Sequence, residues 1–352
     1  MDGITKMNQY TELYNNLEEL RQSGYFEKQN KPTEVTIKQN QFDINKLNEY
    51  VGEEFKTFEF RPQTFEQFIG QKEAKERAKT IIKKAKKKLK SHFLVDGIKG
   101  HGKTCYVELI AKELNAHLIK RIGRQIEVDN LVEIINEINN SKSDYVMFFV
   151  DEIDTMNWKV IKVLNPIIES FEICGKRIKP FIFVGATINK YILINKNPDT
   201  LDRIPIHIKF SRYNTEEITQ ILNQYISYLY SNEKINLNDV KIISENCKFN
   251  PRTAIGLLDE LIVEKDINKV LNNCHIIKNG LTTKDLEILQ TLNKSKRALG
   301  ANCLAMKCKL SEKEYLTEFE PFLLEYDFIN RVPSRIITNK GKELLNELLT
   351  KN

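Results

Sequence analysis

The chain has 352 residues, too many for one small core, so two or three domains are expected. Apolar residues make up 41% and charged residues 29%, with a net charge of +6, which supplies material for folded cores and a mild basic bias that permits an acidic partner such as nucleic acid. Six scattered cysteines with no CxxC pair argue against a zinc site or disulfide framework, and no run approaches the roughly 18 apolar residues of a membrane span, so a soluble cytoplasmic protein without a membrane partner is expected.

Residues 1–57 are polar, with "TELYNNLEELRQ" as one short predicted helix and no assigned role. From 58 to 212, the apolar runs "HFLVDG", "HLIKRIG", "YVMFFVDE", "FIFVGAT" and "IPIHIKF" alternate with helix-length segments. Near-continuous apolar runs spaced in this way read as buried parallel strands, which predicts an α/β sheet with helices on both faces. Over 213–275 the pattern turns helical, as in "PRTAIGLLDELIVEK", and predicts a small helical domain. Residues 276–352 hold helical segments followed by "YDFINRVPSRIIT", two β-rich runs joined by Pro333-Ser334. Helices plus a hairpin predict a winged helix.

The stretch "GIKGHGKT" fits G-x-x-x-x-G-K-[ST] at Gly97, Gly102, Lys103 and Thr104, with Gly100 as an extra glycine between a strand and a helix. Such a loop turns backbone N–H groups towards phosphate oxygens, Lys103 pairs with the β- and γ-phosphates and Thr104 ligates magnesium, so ATP and Mg²⁺ are the expected ligands. "YVMFFVDEID" then delivers Asp151 and Glu152 at the end of an apolar strand, one for the metal and one to polarise the attacking water. Thr187, with Asn189, follows a third strand as a water-positioning group beside the γ-phosphate. Arg203 in "PDTLDRIPI" has the place of an arginine finger for a neighbouring subunit, and Arg252 in "FNPRTAIGLL" opens a lid helix from which it could reach the γ-phosphate.

These residues in this order resemble the AAA+ ATPases, and within them the RuvB family of bacterial Holliday-junction branch-migration motors, over about Arg61 to Leu345. The resemblance implies nucleotide contacts at Phe60, Arg61, Gly100, His101, Gly102, Cys105, Glu169 and Tyr213, with Phe68 and Ile69 flanking adenine. It also implies duplex DNA contacts at the wing residues Arg331 and Arg335, and a homo-hexameric ring. Cys105 and Ile188 stand where the family has threonines, and "EICGKRIKPF" leaves little room for the longer hairpin with which the family docks its RuvA partner.

The charges bear on the DNA-binding mode. "SEKEYLTEFEPFLLEY" carries Glu312, Glu314, Glu318, Glu320 and Glu325 against Lys313, which argues against insertion into a major groove, whereas hairpin arginines can grip phosphates of any sequence. The run "KKAKKKLK" over 83–90 reads as a solvated helix face. The expected function is an ATP-driven motor on duplex or branched DNA. A clamp or helicase loader and an ATP-switched DNA-binding protein are the alternatives.

Overall fold

The computed structural model describes residues 60–350, apart from positions 174, 189, 191–192, 194–197, 296 and 332. The short helix expected before residue 57 and the role expected of Asn189 lie outside the described residues. The strands and helices in chain order are α1 (Lys72–Lys86), β1 (Phe93–Asp96), α2 (Lys103–Glu113), β2 (His117–Ile122), α3 (Val128–Asn140), β3 (Val146–Asp151), α4 (Trp158–Ser170), β4 (Glu172–Ile173), β5 (Lys176–Arg177), β6 (Ile182–Thr187), α5 (Pro198–Arg203) and β7 (Ile206–Lys209). There follow α6 (Thr215–Leu229), α7 (Leu237–Asn246), α8 (Pro251–Glu264), α9 (Ile267–Asn273), β8 (Ile276–Lys278), β9 (Leu281–Thr282), α10 (Thr283–Lys294) and α11 (Ala301–Lys307). The last are α12 (Glu312–Glu314), a π-helical turn over Tyr315–Phe319, α13 (Glu320–Glu325), β10 (Ile329–Arg331), β11 (Arg335–Ile337) and α14 (Asn339–Thr350).

All five predicted strands pair in parallel in the order β2-β3-β6-β1-β7. Both faces of such a sheet are covered, which is why β3 and β6 are buried almost throughout and read as unbroken apolar runs. The register Asp96↔Thr187 brings the ends of β1 and β6 side by side, so the loops after β1, β3 and β6 share one edge of the sheet. Phe93, Val95, Tyr106, Phe149, Val184 and Phe210 fill the core beneath that edge. Each fully buried aromatic stabilises by roughly 2–3 kcal/mol. Tyr106 keeps its hydroxyl satisfied by donating to the Ala74 carbonyl at 2.7 Å.

A second core, with Ile218, Leu222, Ile243, Leu257 and Leu258, holds α6 to α9 together. These helices start on side-chain caps: Asn214 in a capping box with Glu217, Asn236, Asn250 ahead of Pro251, and Asp266. Each such cap is worth about 1 kcal/mol.

A third core, with Leu289, Leu304, Tyr315, Leu323 and Leu345, belongs to the winged helix. The expected hairpin forms, with Arg331 opposite Arg335. A smaller hairpin, β8–β9, was not anticipated from the sequence. Its signal was present in "IIKNGLT", because Asn-Gly between apolar residues favours a tight hairpin turn. Taken by itself, the β4–β5 hairpin has strands of only two residues each, as short as the sequence suggested. Among the described residues, no helix is long and apolar enough to cross a membrane.

Candidate nucleotide site

The loop between β1 and α2 has the backbone that its glycines permit. Gly100 and Gly102 sit at φ +86° and +89°, where a side chain would be strained. A Cβ on Gly100 would also lie 2.4 Å from Asn250 Oδ1, and one on Gly102 would lie 3.0 Å from the Phe68 ring. The loop is thus pressed from one side by the lid helix α8 and from the other by Phe68, so neither glycine can be replaced without moving a neighbour.

Lys103 opens α2, is 8% exposed and donates to the Gly97 and Ile98 carbonyls at 2.5 and 3.1 Å. Burial pushes its pKa down to about 8, and Asp151, Asp96 and Asp154 pull the other way. An ammonium held among loop carbonyls, at the N-terminus of a helix and in a glycine cradle, suits a polyphosphate.

Thr104 donates to Asp151 Oδ2 at 3.3 Å, so the two expected magnesium ligands are already neighbours. Asp151 also accepts from the Glu152 backbone N–H at 2.9 Å, and Glu152 adopts left-handed backbone, φ 51°. That turn starts the short 3₁₀ segment Ile153–Thr155, which carries Asp154 to Thr187. The Thr187 hydroxyl donates to Asp154 Oδ1 at 2.6 Å. Hard oxygen ligands from Thr104 and Asp151 beside a buried lysine fit a magnesium nucleotide.

The remaining expected residues divide into groups. Tyr213 is buried and donates to the His101 carbonyl at 3.1 Å, so it braces the P-loop from behind. The His101 ring is buried edge-on to Tyr213, its Nδ1 has no hydrogen-bond partner, and burial lowers its pKa to about 4. Phe68 is buried against Tyr106 and Phe210, while Ile69 and Cys105 are half-buried. Phe60 packs on Tyr228 of α6, at 5.2 Å between ring centroids, and Arg61 pairs with Glu108 of α2 at 3.5 Å. Arg252 lies with its Cβ 3.1 Å from the position of a Gly100 Cβ, so the lid arginine lies beside the P-loop. Arg203 instead bonds within its own neighbourhood, to Glu169 Oε2 at 3.0 Å and the Asp199 carbonyl at 2.6 Å. Glu169 therefore meets Arg203, and its backbone carbonyl accepts from Lys90.

Two residues with no role assigned from sequence complete the site. Asp154 orients Thr187, and Asn250 both caps α8 and donates to the Lys99 carbonyl at 2.8 Å. Both sit inside the motifs quoted above, but their roles depend on contacts 33 and 151 residues away in sequence.

On the winged helix, Arg331 is half exposed and lies 3.7 Å from Glu320 Oε2. Arg335 was expected beside it on the surface and is not there. It is 7% exposed, with its guanidinium bonded to both oxygens of the equally buried Glu320. The reason is β-strand alternation: β11 runs buried, exposed, buried, and Arg335 takes an inward position that only a paired carboxylate makes tolerable. Glu320 accordingly drops out of the acidic surface expected for that helix, and Glu325 is paired with Arg212.

Residues 60–201 match the model of the Holliday junction DNA helicase RuvB P-loop domain, and residues 278–346 match the RuvB C-terminal winged helix domain. The Holliday junction branch migration complex subunit RuvB of Ureaplasma urealyticum is 30% identical over 323 residues, covering 83% of this chain and 98% of that protein. The chain belongs to the RuvB family. Its counterpart in Mycoplasma genitalium is 29% identical over 81% of this chain and 97% of its own length. The Thermotoga maritima RuvB Holliday junction branch migration motor superposes with a TM-score of 0.70 at 27% identity, covering 81% of this chain and 98% of that one. With the P-loop and the paired Thr104 and Asp151 in place, this RuvB-family chain is an AAA+ ATPase.

Proposed function

We propose that this chain hydrolyses ATP to drive branch migration of Holliday junctions, working as a homo-hexameric ring on duplex arms. The observation that carries the reading is the meeting of three elements at one glycine loop: Lys103 and Thr104 from the P-loop, Asp151 from β3, and Asn250 with Arg252 from the lid. The relatives' association with Holliday-junction branch migration supports the substrate, and favours a motor over a loader or a nucleotide switch.

In this reading Gly100, Gly102 and Lys103 hold the phosphate chain. A bound Mg²⁺, held by Thr104 and Asp151, supplies neutralising charge at the β- and γ-phosphates. Glu152 polarises the attacking water and Thr187, oriented by Asp154, fixes its position. Arg203 serves the site of the adjacent subunit, where it stabilises charge developing on the transferred phosphoryl group. Glu169 holds Arg203 until then. Arg252 senses the γ-phosphate and moves the lid when that group leaves. Arg331 contacts DNA phosphates without reading bases. The β4–β5 hairpin has strands of two residues each, and docking of a RuvA-type partner is left unassigned.

The test mixes Arg203→Ala subunits with Lys103→Ala subunits. Each variant alone should be inactive in ATP turnover, and mixed rings should regain part of it, since a Lys103→Ala subunit lends its arginine to an intact P-loop. If no mixing ratio restores turnover, the shared site is wrong.

A further inference from the structure

Five consecutive residues, Lys248 to Arg252, touch the P-loop at one end and the winged helix at the other. Asn250 reaches the Lys99 carbonyl, and Arg252 lies against Gly100. Two residues earlier, the Lys248 ammonium bonds to Asp285 Oδ2 at 2.6 Å, and Asp285 is completely buried in the first turn of α10. The same ammonium lies 4.9 Å from the Phe322 ring centroid and 5.5 Å from that of Phe319. Phe249 stacks on Tyr326, at 5.8 Å and 18°. The opposite end of the joint is held by Arg212, just before the lid, with its guanidinium 4.2 Å from the Tyr326 ring and paired with Glu325.

This joint is not a filled core. A cavity of about 260 Å³ lies between lid and winged helix, lined by Phe249, Leu281, Phe322 and Tyr326 among others. Apolar side chains do not fill this open space, and directional contacts hold the joint beside it. Lys248 and Phe249 both adopt left-handed backbone, φ 54° and 51°, which is strained for side chains of their size. Such backbone persists only where neighbours over-determine it. Here the neighbours are Asp285 and Tyr326 on one side and the P-loop carbonyl on the other.

We infer that the Lys248–Phe249 turn is the transmission element of the motor: it clamps the winged helix to the lid so that the displacement sensed at Asn250 and Arg252 is delivered undiminished to the wing. Lys248, Phe249 and Asp285 are positioning residues. They act on neither nucleotide nor DNA, and their work is to keep lid and winged helix moving as one body. This inference rests on the proposed motor activity.

The test measures ATP turnover and branch migration together, in the full-length protein, for wild type, Lys248→Met, Lys248→Arg and Asp285→Asn. Lys248→Met keeps the aliphatic stem over the rings and removes the charge. The expected result is ATP turnover within about twofold of wild type, with junctions migrated per ATP falling about tenfold or more in Lys248→Met and Asp285→Asn and largely restored in Lys248→Arg. Equal losses in both activities, or no loss in either, would overturn the inference. A wild type with no ATP-dependent migration would instead overturn the motor reading beneath it. Amide exchange on the wild type guards against variants that fail to fold. Between ADP and a non-hydrolysable ATP analogue, protection should change around Lys99–Gly102 and stay constant at Thr282–Asp285. A nucleotide-dependent loss of protection at Thr282–Asp285 would mean that the joint opens during the cycle, and the clamp would be refuted.

Discussion

The Thr187 hydroxyl donates to Asp154 Oδ1 at 2.6 Å, which links the end of β6 to the 3₁₀ turn that follows β3. The bond fixes the side-chain rotamer of the residue proposed to position water.

Asp154→Ala should therefore lower the turnover number more than it weakens nucleotide binding. A misplaced positioning group costs about tenfold to a hundredfold in rate. Steady-state ATPase kinetics check this: the turnover number should fall with KM nearly constant. A rise in KM alone would show that Asp154 helps to hold the nucleotide.

Gly100→Ala places a methyl group 2.4 Å from Asn250 Oδ1, on a backbone at φ +86°. Loop and lid cannot both keep their positions. Nucleotide affinity should fall about tenfold or more, equivalent to about 1.4 kcal/mol. Titration with a fluorescent nucleotide measures it, and wild-type affinity would show that the lid yields freely.

The two wing arginines should separate cleanly. Arg331→Ala should leave the melting temperature unchanged, weaken duplex binding for all sequences, and reduce the salt slope by about one charge. Glu320→Ala leaves the buried Arg335 guanidinium without its carboxylate and should destabilise the winged helix by about 3–5 kcal/mol. Thermal melts and salt-dependent DNA titrations on the same preparations distinguish the two roles.

Acid should destabilise the fold through His92. The ring is buried: Nδ1 accepts the Phe183 N–H at 2.9 Å, Nε2 faces the Ile168 carbonyl at 3.1 Å, and Phe171 and Phe181 pack edge-on or tilted against it. Burial first, then the charges of Lys90 and Lys84, lower its pKa from 6.5 to about 4. The unfolded chain thus binds a proton that the folded chain refuses. Stability conferred by neutral His92 is complete above pH 6.5 and lost as pH falls to about 4, a loss of about 3 kcal/mol. His101 is lowered to the same value and adds to the slope. Urea titrations across this range should show His92→Gln to be flatter with pH than wild type by about one proton; parallel curves would show that the folded protein accepts the proton.

The five parallel strands, the P-loop, the carboxylates after β3 and the hairpin of the wing were legible in the sequence, because each is a local pattern of apolar runs and turn residues. Arg335 was not. A β-strand puts alternate residues on opposite faces, but which face is the core depends on what packs there, and Glu320 lies 15 residues away. Likewise Asn250 and Asp154 look like capping and strand-end residues until the fold sets Lys99 and Thr187 beside them.

By itself the sequence determined the kinds of element, their order and the chemistry each could carry, since propensity, periodicity and motif spacing act over a few residues. Tertiary structure alone decided which arginine faces solvent, which carboxylate orients which hydroxyl, and which residues join the lid to the winged helix. Those outcomes turn on burial and on pairing across long stretches of chain, where a charge is stable only if folding brings it a partner.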